Sequence, residues 1–134
     1  MLPKKIRICE VGLRDGLQNE KRMFTTEEKL ELLDGMGKAG FSVIEVGSFM
    51  SPKAVPQMAN TDEVYEKLEK VPGVEYRALI ANLRGVERAI ACGCKKVKLN
   101  VSASRAITWL ISTGRRKKVL LALVTALPAP RKRV

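Results

Sequence analysis

Between Lys4 and Val101 the chain alternates short β-branched runs with longer amphipathic ones, and that rhythm restricts the fold more than any other feature. Ile6-Arg7-Ile8-Cys9-Glu10-Val11 alternates in polarity and then meets Gly12, the pattern of a strand running into a turn. Thr25-Thr26-Glu27-Glu28 carries both side chains of a capping box, with Thr25 at the cap and Glu28 at the reciprocal position. The helix it opens places Leu30, Leu33, Met36 and Gly37 on one face and stops near Gly40. Ser42 to Gly47 reads as a second strand, followed by a loop containing Pro52 and Pro56. Asn60, with Glu63 at the reciprocal position, predicts a second capped helix that ends before Pro72-Gly73. Glu75 to Ala81 is a third strand, Leu83 to Cys92 a third helix stopped at Gly93, and Lys96 to Val101 a fourth strand. Parallel neighbours need a crossover between them, so strands alternating with helices predict a parallel sheet of the α/β class.

Doubly wound sheets and TIM barrels both begin this way, and periodicity does not choose between them. A closed (β/α)8 barrel takes about 250 residues, and this chain has 134. The α/β expectation is therefore a partial TIM barrel of about four strands, spanning residues 1–106. Hydrophobic residues at 46% and charged residues at 29% exclude a disordered chain. A net charge of +11 would ordinarily point to a nucleic-acid or anionic-membrane partner. Its distribution argues against that simple reading: all 14 acidic residues lie at or before Glu87, facing 13 basic ones, so that stretch is close to neutral, and the 12 basic residues from Arg88 onward meet none. Cys9, Cys92 and Cys94 are odd in number and lack framework spacing, which fits a reducing, cytoplasmic setting. Cys92-Gly93-Cys94 reads as small residues at a helix end rather than a metal or redox pair. The basic start leads into no apolar core, so no secretory signal is expected. The apolar run from Val119 to Ala129 is too short to span a bilayer.

Polar residues gather where strands end: Arg14-Asp15-Gly16-Leu17-Gln18-Asn19-Glu20-Lys21 after the first, Glu45 on the second, Asn100 on the fourth. In a parallel barrel these positions share the rim where chemistry is done. An aspartate there offers a hard oxygen ligand for a divalent cation. The adjacent guanidinium can stabilise an oxyanion, and Glu45 can orient it through a bidentate pair. An Arg-Asp pair beside glycine is also a common turn salt bridge.

The longer string Glu10-Val11-Gly12-Leu13-Arg14-Asp15-Gly16-Leu17-Gln18-Asn19-Glu20-Lys21 resembles the opening motif of the hydroxymethylglutaryl-CoA lyase family. Ser42-Val43-Ile44-Glu45-Val46-Gly47-Ser48-Phe49, followed by Ser51-Pro52-Lys53-Ala54-Val55-Pro56-Gln57-Met58, resembles its second block. Isopropylmalate and homocitrate synthases share only the Arg-Asp-Gly element, so they are the second choice. The resemblance implies a TIM barrel cleaving 3-hydroxy-3-methylglutaryl-CoA to acetyl-CoA and acetoacetate, a step of leucine degradation and ketone-body formation. It implies that Asp15 ligates Mg²⁺ or Mn²⁺, that Arg14 stabilises the enolate and that Glu45 supports Arg14. It also implies that Gln18, Lys21 and Ser48 belong to the substrate side of the site. The implied partner is an acyl-CoA, with no nucleic acid or membrane expected and a homo-oligomer allowed.

The family completes its metal site with a His-x-His pair, and this chain has no histidine. Cleavage by the chain alone is accordingly not expected. Residues 107–134 also abandon the strand–helix rhythm and form a basic, non-homologous tail. Arg115-Arg116-Lys117-Lys118 and Arg131-Lys132-Arg133 within it suit phosphate contacts of a non-catalytic binding fragment. A shifted reading frame is the favoured explanation. Bacterial sequences resembling this one continue after Ser-Ala-Ser-Arg-Ala with His-Asn-Leu-Ala-Asn-Leu-Asn-Arg-Thr-Pro-Glu-Glu-Ser-Val-Ala-Gly-Phe. A nucleotide string encoding that continuation, read one base later, yields Ile107 to Leu123. Sequencing the gene past codon 107 tests this: a downstream frame encoding the His-x-His segment is expected, and its absence removes the frameshift.

Overall fold

The computed structural model describes residues 3–100; the tail 107–134, and every expectation attached to it, lies outside them. Four strands form one sheet: β1 (Cys9–Glu10), β2 (Val43–Ser48), β3 (Glu75–Ile80) and β4 (Val97–Leu99). Three helices connect them: α1 (Thr26–Lys38), α2 (Thr61–Lys67) and α3 (Leu83–Ala91). All neighbouring strands are parallel, and their spatial order is β1-β2-β3-β4. A doubly wound sheet reverses direction at a switch point. Here the chain winds one way without reversal, which is the path of a barrel wall. The α/β partial-barrel expectation holds.

β1 is shorter than the alternation in its sequence predicts. Its partner β2 starts at Val43, which pairs with Cys9, so residues before Cys9 have no strand to pair with. Ile6 and Ile8 are left 77% and 60% exposed. Arg7 turns aside to donate to the Ser42 carbonyl and the Glu75 carboxylate.

The helix starts show which local signals survive packing. At α1 the capping box forms in full: the Glu28 amide donates to Thr25 Oγ1 at 3.2 Å and the Thr25 amide to Glu28 Oε2 at 2.8 Å. These bonds draw the Glu28 carboxyl below its ordinary pKa. The same pattern at α2 does not form. Asn60 sits at the cap, but its side chain makes no capping bond. Its Oδ1 instead accepts from Lys29 Nζ at 2.5 Å, while its amide donates to Thr26 Oγ1 and the Phe24 carbonyl. Glu63 accepts from Thr26 Oγ1 and Lys67. α3 is capped by Asn82, which accepts from the Gly85 amide at 3.0 Å.

Leu33 of α1, Ile44 and Val46 of β2, Val64 and Tyr65 of α2, Ala78 and Ile80 of β3 and Ala89 of α3 make the core between sheet and helices. Cys92 and Cys94 pack beside it as free, buried thiols. Successive residues of a strand face opposite sides. In β3, Tyr76, Ala78 and Ile80 enter this core and Glu75, Arg77 and Leu79 take the other face. β2 carries a bulge between Glu45 and Gly47, where two steps along β2 match one step from Arg77 to Ala78. Gly47 is required there, since a Cβ would lie 2.7 Å from Thr61 Oγ1 at the start of α2.

Replacing Thr25 by Ala removes one half of the α1 box and should cost about 1 kcal/mol. The expected readout is a lower urea midpoint with an unchanged slope; an unchanged midpoint would show that the box does not hold α1 in place.

Candidate active site

After β1 the backbone makes a tight π-type turn over Gly12–Gly16. The amides of Arg14 and Asp15 both donate to the Val11 carbonyl, at 3.0 and 2.7 Å. The Gly12 amide donates to Glu10 Oε1 at 2.5 Å, and a Cβ on Gly12 would stand 2.8 Å from that oxygen. Two adjacent side chains thereby part company. Arg14 is buried, whereas Asp15 keeps 54% of its side chain exposed.

Arg14 spans two carboxylates. Its Nε donates to Glu45 Oε1 at 2.8 Å and its Nη1 to Asp15 Oδ1 at 2.5 Å. Glu45 comes from the middle of β2 and is fully buried. The pair is not the expected bidentate one, because the other oxygen of Glu45 faces a different cation, Lys98 Nζ of β4, at 3.4 Å. Among the described residues Arg14 Nη2 makes no hydrogen bond, so the guanidinium is held on two sides and has a donor left over. Fixed donors of this kind suit developing negative charge on a substrate oxygen.

Gln18 joins the cluster through a long contact, Nε2 to Asp15 Oδ1 at 3.5 Å. Asn19 ties the turn down by donating to the Asp15 carbonyl at 2.6 Å. Ser48, at the end of β2, is fully buried, and its hydroxyl accepts from the Met50 amide at 3.2 Å. Lys21 is exposed in the segment before α1, and Asn100 is exposed just after β4. Arg14, Asp15, Gln18 and Glu45 thus converge; the Ser48 hydroxyl is engaged by its own loop, and Lys21 stands outside the cluster.

A divalent cation wants several oxygen or nitrogen ligands at once. Here Asp15 is the one exposed carboxylate at the cluster, and its Oδ1 already accepts from Arg14 and Gln18. Among the described residues no three His, Cys, Asp or Glu side chains come together as a metal site.

The loop after β2 borders the rim. It is fastened from beneath by Lys29 of α1, whose buried ammonium donates to the Gln57 carbonyl at 2.6 Å and to Asn60 Oδ1. Burial depresses the lysine's pKa. A cleft of about 620 Å³ opens between this loop and the start of α3, with Lys53, Arg84 and Arg88 among its lining residues. Arg88 is paired with Asp62 and lies over the Phe49 ring.

A family model described as HMGL-like matches residues 5–128. The chain belongs to that family. It is 51% identical over 107 residues to the mitochondrial hydroxymethylglutaryl-CoA lyase of Macaca fascicularis, covering 80% of this chain and 33% of that relative. It is 50% identical over 107 residues to the 3-hydroxy-3-isohexenylglutaryl-CoA/hydroxymethylglutaryl-CoA lyase of Pseudomonas aeruginosa, covering 80% of this chain and 36% of that protein. The solved hydroxymethylglutaryl-CoA lyase of P. aeruginosa superposes with a TM-score of 0.82 at 46% identity, over 92% of this chain and 41% of that one. The HMG-CoA lyase of Acinetobacter baumannii, solved with coenzyme A and 3-methylmalate, gives a TM-score of 0.84 at 32% identity, over 89% of this chain and 39% of that one. This chain spans about a third of the length of the curated relatives it matches. The resemblance carried by the Arg-Asp-Gly and Ser-Pro-Lys blocks is therefore borne out.

Sequence reasoning overlooked Lys98 and Arg77. Lys98 is one basic residue within a basic stretch. Only the sheet register, which sets Lys98 beside Leu79 and Arg77 beside Glu45, shows that both lie on the face carrying Glu45.

Removing one partner of a buried charged cluster leaves uncompensated charge behind. Glu45→Ala should cost about 3–5 kcal/mol of stability, with Glu45→Gln costing less because it keeps the shape and an acceptor for Arg14. Urea unfolding of both variants checks this, and wild-type stability for Glu45→Ala would show that the cluster is not coupled to folding.

Proposed function

We propose that this chain supplies the anion-handling side of a hydroxymethylglutaryl-CoA lyase site. The observation that carries the reading is Arg14, locked between Glu45 and Asp15 with Nη2 left over among the described residues. In the cleavage, the tertiary hydroxyl of 3-hydroxy-3-methylglutaryl-CoA loses its proton and its carbon becomes the ketone of acetoacetate. The bond to the carbon next to the thioester breaks, and its electron pair passes into the thioester carbonyl. The resulting acetyl-CoA enolate is later protonated at carbon. A guanidinium already oriented by two carboxylates meets that enolate oxygen without reorganising. Glu45 positions Arg14, and Gln18 makes a long contact to the same Asp15 oxygen that Arg14 holds.

Lys21 and Ser48 are assigned to the substrate-facing side of the complete barrel by their match to the family motif. The cleft lined by Lys53, Arg84 and Arg88 suits the phosphates of coenzyme A. Mg²⁺ or Mn²⁺ is assigned to the complete barrel, with Asp15 as one ligand among others that the described residues do not contain. The free thiols fit a cytoplasmic enzyme, although relatives include mitochondrial proteins. Because one carboxylate and no histidine are available, the 134 residues alone are proposed to be without turnover.

Calorimetric titration of the purified chain with 3-hydroxy-3-methylglutaryl-CoA tests the reading. Wild type should bind, and Arg14→Met should weaken binding by about tenfold or more, since a charge-assisted contact is lost. No acetoacetate should form with either divalent ion present. Absence of wild-type binding removes the assignment, and clear turnover removes the claim of inactivity.

A further inference from the structure

We propose that Lys98 is a specificity-determining residue, whose ammonium receives the free carboxylate of a dicarboxylic acyl thioester. The inference rests on the lyase reading above and adds to it what the second end of the substrate meets. It starts from charge. Asp15, Arg14 and Glu45 form a row of two anions around one cation, which by itself repels an anionic acyl group. Lys98 and Arg77 reverse that balance. Arg77 stands opposite Glu45 in the strand register, and Lys98 stands opposite Leu79, nearer the end of the strands where the rim lies.

The two cations differ in what they have to spare. Arg77 Nε is buried and has no hydrogen-bond partner among the described residues, so it adds positive potential from beneath the site. Lys98 has 36% of its side chain exposed and, among the described residues, a single long contact of 3.4 Å to Glu45. An ammonium carries three donors. Among the described residues at least two of those on Lys98 are uncommitted, on a side chain that is 36% exposed.

Distance fits as well. Arg14 and Lys98 hold opposite oxygens of the same carboxylate, at 2.8 and 3.4 Å. With the width of a carboxylate between them, the two cations are no more than about 8.5 Å apart. A five-carbon acyl chain is about 5 Å long between its end carbons, so one glutaryl group reaches both. The thioester carbonyl then meets Arg14 and the terminal carboxylate meets Lys98.

The test uses the full chain and two thioesters of equal carbon count, glutaryl-CoA and valeryl-CoA, which differ in the terminal carboxylate. Calorimetry at low ionic strength should show wild type preferring glutaryl-CoA by about tenfold or more, the worth of one charge-assisted hydrogen bond. Lys98→Met should bring the two affinities together, the affinity for glutaryl-CoA falling by about tenfold more than that for valeryl-CoA, and Lys98→Arg should keep the preference. Lys98→Gln, measured beside it with a thermal melt of each variant, ensures that the outcome does not hang on one folded mutant. A preference that survives in Lys98→Met and Lys98→Gln overturns the proposal. So does an equal loss for both thioesters, which is what a structural role on Glu45 produces. If wild type binds neither thioester, the lyase reading falls and this inference falls with it.

Discussion

Burying the Glu45 carboxylate is the constraint around which the rest of this half-barrel is arranged. Taking an ionised carboxylate out of water costs several kcal/mol even after relaxation, and nothing nearer than a full charge offsets it well. The chain meets that cost with two cations from different elements, Arg14 from the turn after β1 and Lys98 from β4. To deliver Arg14, β1 has to end in a turn tight enough that consecutive residues point to different surroundings, which is where Gly12 is needed. To deliver Lys98, β4 has to join β3 in the register that sets Lys98 beside Leu79. The bulge just after Glu45 then re-phases β2, so that Gly47 can back against α2 while Glu45 stays on the opposite face. One buried charge thus ties together strands far apart in sequence.

Local signals carried most of the architecture. Strand–helix alternation, the Thr25–Glu28 box and the glycines after each helix place every element within a few residues, because each depends on neighbours in sequence. What failed depended on partners far along the chain. The extended run before Cys9 has all the marks of a strand, yet its partner strand begins at Val43. Asn60 and Glu63 have the spacing of a capping box, but a lysine from α1 and a threonine beside it compete for the same atoms and win. The choice of barrel over doubly wound sheet was equally non-local, since it resides in strand order.

The candidate site divides in the same way. Arg14, Asp15 and Gln18 lie within one turn, so their convergence is readable from spacing alone, and Glu45 follows from its position on the next strand. The count of hydrogen bonds between Arg14 and Glu45 was not readable, because it depends on Lys98 taking the second oxygen. Membership of the HMGL-like family rests on these residues and on about 50% identity to curated lyases, over a third of their length. In the proposed reading the chain brings to that family's site the oriented guanidinium of Arg14, its partner Glu45 and one candidate metal ligand, Asp15.

Lys29 has a consequence of a different kind. The residue is 2% exposed, and its ammonium's hydrogen-bond partners are a backbone carbonyl and an amide oxygen, both neutral. Mobile ions weaken attraction between exposed charges over about 8 Å at physiological strength, yet buried contacts are screened far less. The loop bordering the rim is accordingly anchored by an ion–dipole contact out of reach of dissolved salt. Surface pairs such as Lys38–Asp34 will loosen in concentrated electrolyte while this clasp does not. The shape of the rim and the attraction that draws an anion to it can therefore vary independently.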